Sequence, residues 1–174
     1  MGAITPPHEV LLIVAASSRY LEALSWGLDA MQQVYGHVAL VSEAFDFTET
    51  DYYLAEMGPD LKKQFWAFTQ KIDPAALPAV KHATNAWEAS YASLQRSPES
   101  RPLNLDPGYI TQAKLVLAST KDHAHRLYLG EGIYGEITLR FQKKAWRSTE
   151  WTYPDYRRAD FHRFFDECRN LLRT

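Results

Sequence analysis

The segment Glu9 to Ser17 reads EVLLIVAAS, an unbroken apolar run of strand length. A strand with one wet face alternates polar and apolar residues. A strand without that alternation must be covered on both faces. Such a strand belongs at the centre of a sheet that carries apolar elements above and below it. The run is too short to cross a bilayer, and the preceding MGAITPPHEV lacks the basic start of a secretory leader. Residues 1–8, with Pro6 and Pro7, are expected to be a disordered lead into a single α+β domain spanning 1–174.

The chain then falls into recognisable pieces. Leu21, Leu24, Leu28, Met31 and Val34 recur at helical spacing, and Gly36 supplies a left-handed stop. His37 to Phe47 returns as a strand, and Thr48 to Asp60 is an acidic and aromatic loop or short helix. Lys63 to Ile72 fits a third strand. Asp73-Pro74 starts a second helix, with Leu77, Val80, Thr84, Trp87, Tyr91 and Leu94 on one stripe. Leu103 to Asp106 is a fourth, short strand. This order matches the βαββαβ plan of a ferredoxin-like start, an antiparallel sheet with two helices on one face.

Beyond it, Asp106-Pro107-Gly108 carries turn chemistry. Tyr109 to Lys121 is ambiguous: Ile110, Ala113 and Leu117 form a helical stripe, while KLVLAS alone suits a buried strand, and the stripe favours a helix. His125 to Leu129 and Ile133 to Phe141 make a hairpin around Gly130-Glu131-Gly132. Placing the leucines and isoleucines on one face requires a three-residue loop with Leu129 opposite Ile133. Arg126 then faces Glu136, and Tyr128 faces Tyr134. Lys143-Lys144 turns the chain into a further strand from Ala145 to Trp151. A last helix from about Ala159 shows Phe161, Phe164, Phe165, Cys168, Leu171 and Leu172 at helical spacing. The expected fold is therefore a ferredoxin-like start, extended by C-terminal hairpin strands and closed by a C-terminal helix.

Net charge is −2, which argues against a general nucleic-acid coater. The single cysteine, Cys168, permits no internal disulfide, and a reducing cytoplasm suits it. No membrane partner is expected.

The segments FDFTETDYYLAEMG, NLDPGYITQAKLVLASTKDHAHRLYLGEGIYGEITL and EWTYPDY resemble an uncharacterised bacterial family, domain of unknown function 4416. The resemblance runs from Val10 to the final helix and implies no mechanism. Some relatives carry a GTP-binding label. This chain has no G-x-x-x-x-G-K-[ST] loop, and Thr120-Lys121-Asp122 lacks the spacing residue of a guanine-reading motif.

Candidate chemistry gathers in the region 104–141. Lys121, His123 and Arg126, with Asp106 and Lys114, suit an anionic ligand, and Tyr128 and Tyr134 share a strand face with Arg126. Glu136 and His123 are the candidate acid–base groups. His123-x-His125 would need a third metal ligand, such as Asp106 or Glu136, and no metal or other cofactor is assigned. The first expectation is a small anionic ligand, a nucleotide or phosphorylated metabolite. The second is a non-catalytic interaction module for protein or structured RNA, using Trp146, Arg147, Trp151, Tyr153, Tyr156, Arg157 and Arg158.

Overall fold

The computed structural model describes residues 2–173. Residues 2–9 are exposed and carry no regular secondary structure; Met1, part of the expected disordered lead, lies outside the described residues. In chain order the elements are β1 (Val10–Ser18), α1 (Leu21–Tyr35), β2 (Val38–Val41), β3 (Phe45–Asp46), α2 (Leu54–Met57), β4 (Lys62–Ile72), α3 (Leu77–Ser93), β5 (Asn104–Ile110), β6 (Lys114–Ser119), β7 (Leu127–Gly130), β8 (Ile133–Gln142), β9 (Ala145–Ser148) and α4 (Ala159–Leu171). Among the described residues all nine strands join one sheet, ordered β2-β4-β1-β5-β6-β8-β7, with β3 beside β4 and β9 beside β8. Every pairing is antiparallel.

Strand β1 is buried along its whole length, as its unbroken apolar run requires. Its alternate side chains feed two cores. Leu11, Ile13 and Ala15 meet α4, while Leu12, Val14 and Ala16 meet α1 and α3. Helices therefore cover both faces. Helix α4 inserts Phe161, Phe164, Phe165 and Cys168 around Phe65 and Tyr156. Each buried phenylalanine contributes about 1.5–3 kcal/mol. The stripe of α1 is rotated from the expected one: Ala23, Leu24, Gly27 and Met31 are buried, while Leu21 and Val34 face water. Just past the end of α3, Leu94 is likewise exposed.

Three sequence expectations are corrected. Asp106-Pro107-Gly108 is not a turn but lies inside β5, in register with Ala15, Val14 and Ile13 of β1. Proline is tolerated there because its nitrogen falls on the side of β5 turned away from β1, where no ladder bond to β1 is lost. Residues 109–121 are not a helix. Thr111 makes the turn, its hydroxyl accepting from the Ala113 and Lys114 amides, and β6 follows. KLVLAS is thus the buried strand, and the apparent helical stripe is a coincidence of spacing.

The hairpin of β7 and β8 uses a two-residue loop, not three. Gly130 pairs with Ile133, and Glu131 and Gly132 both have positive φ, as a tight hairpin turn requires. Tyr128 still faces Tyr134 because Leu129 is an extra, bulged residue. A second irregularity at Thr138 puts Val116 opposite Ile137 but Leu115 opposite Leu139. It turns Leu139 to the face that Glu136 shares. Ile137, on the other face, is left partly in water, as are Leu127 and Leu129.

One close approach governs the middle of the sheet. Strand β6 pairs with β5 only from Gly108 to Ile110. A Cβ on Gly108 would lie 2.2 Å from the Val116 carbonyl oxygen and 2.8 Å from a Leu117 methyl. Backbone cannot yield as a flexible side chain can. Gly108→Ala is expected to lower stability by about 2–4 kcal/mol in chemical denaturation. A loss below about 0.5 kcal/mol, the range of an ordinary surface substitution, would show that the two strands are not held this tightly.

Candidate functional site

Past Gly108 the sheet opens. Asn104 to Pro107 pair with β1 alone, while Ala118 and Ser119 of β6 pair with β8. The backbone groups of Leu105 that face the gap therefore have no strand partner. Two side chains of α3 replace it: the Leu105 amide donates to Glu88 Oε1 at 2.7 Å, and Lys81 Nζ donates to the Leu105 carbonyl at 3.1 Å. Between the separated strands lies a cleft of about 660 Å³. Its walls come from the 47–56 segment, β4, α3, β5, β6, the 120–126 loop, β8 and residues 153–156.

Charged groups enter the cleft as pairs. Lys81 binds Asp106 Oδ1 at 3.1 Å, and Asn104 donates to the other oxygen at 2.8 Å. Arg101 donates to Glu88 Oε2 from Nε and Nη2 at 3.2 and 3.1 Å, and also to Asn104 Oδ1. Lys63 binds Asp155, both buried, with its ammonium 3.7 Å from the centre of the Phe47 ring. Arg126 donates from Nε to Glu136 Oε2 at 2.9 Å, from Nη1 to Ser119 Oγ and the Lys121 carbonyl, and from Nη2 to the Tyr153 hydroxyl at 2.8 Å. The Glu136 carboxylate also meets His125 Nε2 at 3.1 Å and accepts from Thr138 Oγ1 at 3.3 Å.

These surroundings move several titrations. Burial works against the Asp106 charge, but Lys81, the Asn104 amide and Lys63 outweigh it and hold the carboxyl below its ordinary value. For Glu88 burial prevails over Lys81 and Arg101, and its carboxyl is raised. Burial raises the phenols of Tyr53, Tyr153 and Tyr156, which therefore stay protonated through neutral pH.

A family model matches residues 7–172. The chain belongs to the family described as domain of unknown function (DUF4416). No curated protein and no solved structure matches it.

Of the residues singled out in the DUF4416 sequence, Asp106, Lys121, His123, Arg126 and Glu136 all line the cleft. Three others do not. Lys114 stands at the far end of β6, opposite Arg140. Tyr128 and Tyr134 pack on each other with ring centres 5.3 Å apart, outside the cleft. Asp106 reaches the site as a strand residue rather than as part of a turn. Lys63, Lys81, Asn85, Glu88, Arg101 and Asp155 also line the cleft and were not picked out from the sequence. The acidic and aromatic loop contributes Glu49, Tyr52, Tyr53 and Glu56 to one wall. Among the described residues no group of three or more His, Cys, Asp or Glu is placed to hold a metal ion. Also among them, no helix is long and apolar enough to cross a membrane.

The Arg126 and Glu136 side chains are 3% and 2% exposed, so neither charge can fall back on water if the other is removed. Glu136→Ala is expected to cost about 3–5 kcal/mol, and adding Arg126→Met should restore part of the loss. Denaturant titration of the two single variants and the double variant measures the coupling. Additive losses would contradict a buried pair.

Proposed function

We propose that the DUF4416 cleft binds a small anionic ligand, a nucleotide or a phosphorylated metabolite. The observation that carries this reading is Lys121. Its ammonium donates to the Tyr52 hydroxyl at 2.5 Å and has no carboxylate partner among the described residues, while the deeper cations of the cleft are each paired. Lys121 is exposed, on the loop that also carries His123. A cation held by a neutral hydroxyl over an open cleft is an available anion contact.

For turnover the proposed proton carriers remain His123 and Glu136. The His123 ring lines the cleft without a hydrogen bond to the described residues; it stacks on His125, with centres 5.8 Å apart. Glu136 lies deeper, and both its oxygens are engaged, which suits a group that fixes Arg126 as well as one that moves a proton. We also read the first half of the chain as ferredoxin-like. The order β2-β4-β1-β5, with α1 and α3 against one face, supports that reading. A reducing cytoplasm suits the lone, buried Cys168.

The interaction-module reading has less support. Trp146 and Tyr156 are core side chains, 5% and 3% exposed, and Arg157 is bound to the carbonyls of Thr149, Glu150 and Thr152. The aromatic and basic residues of that reading do not form one open surface.

A thermal-shift screen over nucleotides and sugar phosphates tests the proposal. A true ligand at a hundredfold above its Kd should raise Tm by about 5–10 °C. Lys121→Ala should reduce the shift while changing the stability of the free protein by no more than about 0.5 kcal/mol. An unresponsive wild type, or a Lys121→Ala variant that responds equally, would overturn the proposal.

A further inference from the structure

The cleft shows a division of labour between its charged and uncharged groups. Asp106, Glu88, Asp155 and Glu136 each sit against a cation. Some uncharged groups beside them are bonded, as Asn104 and Tyr153 are, but three have no partner in the protein among the described residues. Tyr156 is 3% exposed and lines the cleft, yet its hydroxyl has no hydrogen-bond partner among the described residues. The Tyr53 hydroxyl, on a half-buried ring in the field of Asp106 and Arg101, also has no hydrogen-bond partner among the described residues. The same is true of the Asn85 amide, one helical turn from Lys81 on α3. None of the three polar groups is sealed from solvent, so each opens on the cleft and is available to pair with what enters it. Burial keeps both phenols protonated, so each has an O–H to donate.

We propose, resting on the anionic-ligand reading, that the ligand enters with an uncharged, hydrogen-bonding ring foremost and leaves its phosphate at the mouth beside Lys121. Two physical arguments fix this orientation. A phosphate placed deep in the cleft would meet four carboxylates whose cations are already committed to them, and like charges repel strongly where water is scarce. An uncharged ring bearing hydroxyls or amides instead supplies the partners that Tyr53, Tyr156 and Asn85 lack. A site built to pair such groups rejects molecules that cannot pair them. The ring is a sugar or a nucleobase, which share this chemistry.

Calorimetric titration of the intact protein tests the orientation. The probes are inorganic phosphate, ribose 5-phosphate and the 5′-monophosphates of adenosine, guanosine, cytidine and uridine. At least one ring-bearing phosphate should bind about tenfold or more tighter than inorganic phosphate. Tyr53→Phe and Tyr156→Phe, which keep the aromatic packing, should each weaken it by about three- to tenfold. Neither should change the binding of inorganic phosphate, whereas Lys121→Ala should weaken every probe that binds. Binding by ribose 5-phosphate supports a sugar ring in the interior; binding by the nucleotides alone supports a base. If a ring-bearing phosphate binds but both phenylalanine variants bind it like wild type, this inference is overturned and the anionic-ligand reading stands. If none of the phosphates binds, both fall together.

Discussion

A sheet cannot simply be parted in its middle. The amides and carbonyls along the break lose their ladder partners, and each left bare costs roughly 1–3 kcal/mol. Here the break lies between β5 and β6, and the exposed pair of groups belongs to Leu105. Glu88 accepts from its amide and Lys81 donates to its carbonyl, so one helix supplies what a neighbouring strand otherwise would. Pro107 has no amide to satisfy on that edge. Gly108 then brings β6 back against β5 closely enough to end the opening. The cleft sits in the middle of the sheet because these residues remove the cost of separating its strands.

Burying Lys81 and Glu88 creates a second demand. A lone charge in so dry a place would be neutralised or would draw in water. Arg101, Asn104 and Asp106 close a chain of charge-assisted hydrogen bonds around them. The opposite wall follows the same rule, with Arg126 on Glu136 and Lys63 on Asp155. The interior thus combines high polarity with near balance of charge. Such a chamber does not attract ions by its overall field. In the proposed binding mode, selection rests on Lys121 at the mouth, which has no carboxylate partner among the described residues, and on the neutral Tyr53, Tyr156 and Asn85 within, which have no hydrogen-bond partner among them.

What could be read from the sequence tracks how local the cause is. The central strand, the aromatic stripe of α4 and the contact of Arg126 with Glu136 all follow from periodicity within a short window, and they appear as expected. Asp106-Pro107-Gly108 misleads because its turn chemistry is local, while its true setting is a strand held by β1 and a gap held by α3. The hairpin register misleads for a related reason. Parity along β7 and β8 holds only if no residue is extra, and Leu129 in β7 and Thr138 in β8 both break it. Nothing in either residue type announces a bulge.

Lys81, Asn85 and Glu88 were harder to see, yet they left a trace. Along α3 the residues at 77, 80, 84 and 91 are buried and mark the core-facing arc. Lys81 and Glu88 fall within that arc and are themselves buried, at 4% and 9% exposure. A helix that faces a sheet gains nothing by placing an ammonium and a carboxylate where leucines would pack, unless the sheet offers them partners. Charged residues on the inner stripe of a helix therefore imply unpaired backbone or charge across from them. In this chain they point to the broken edge of β5, and so to the cleft.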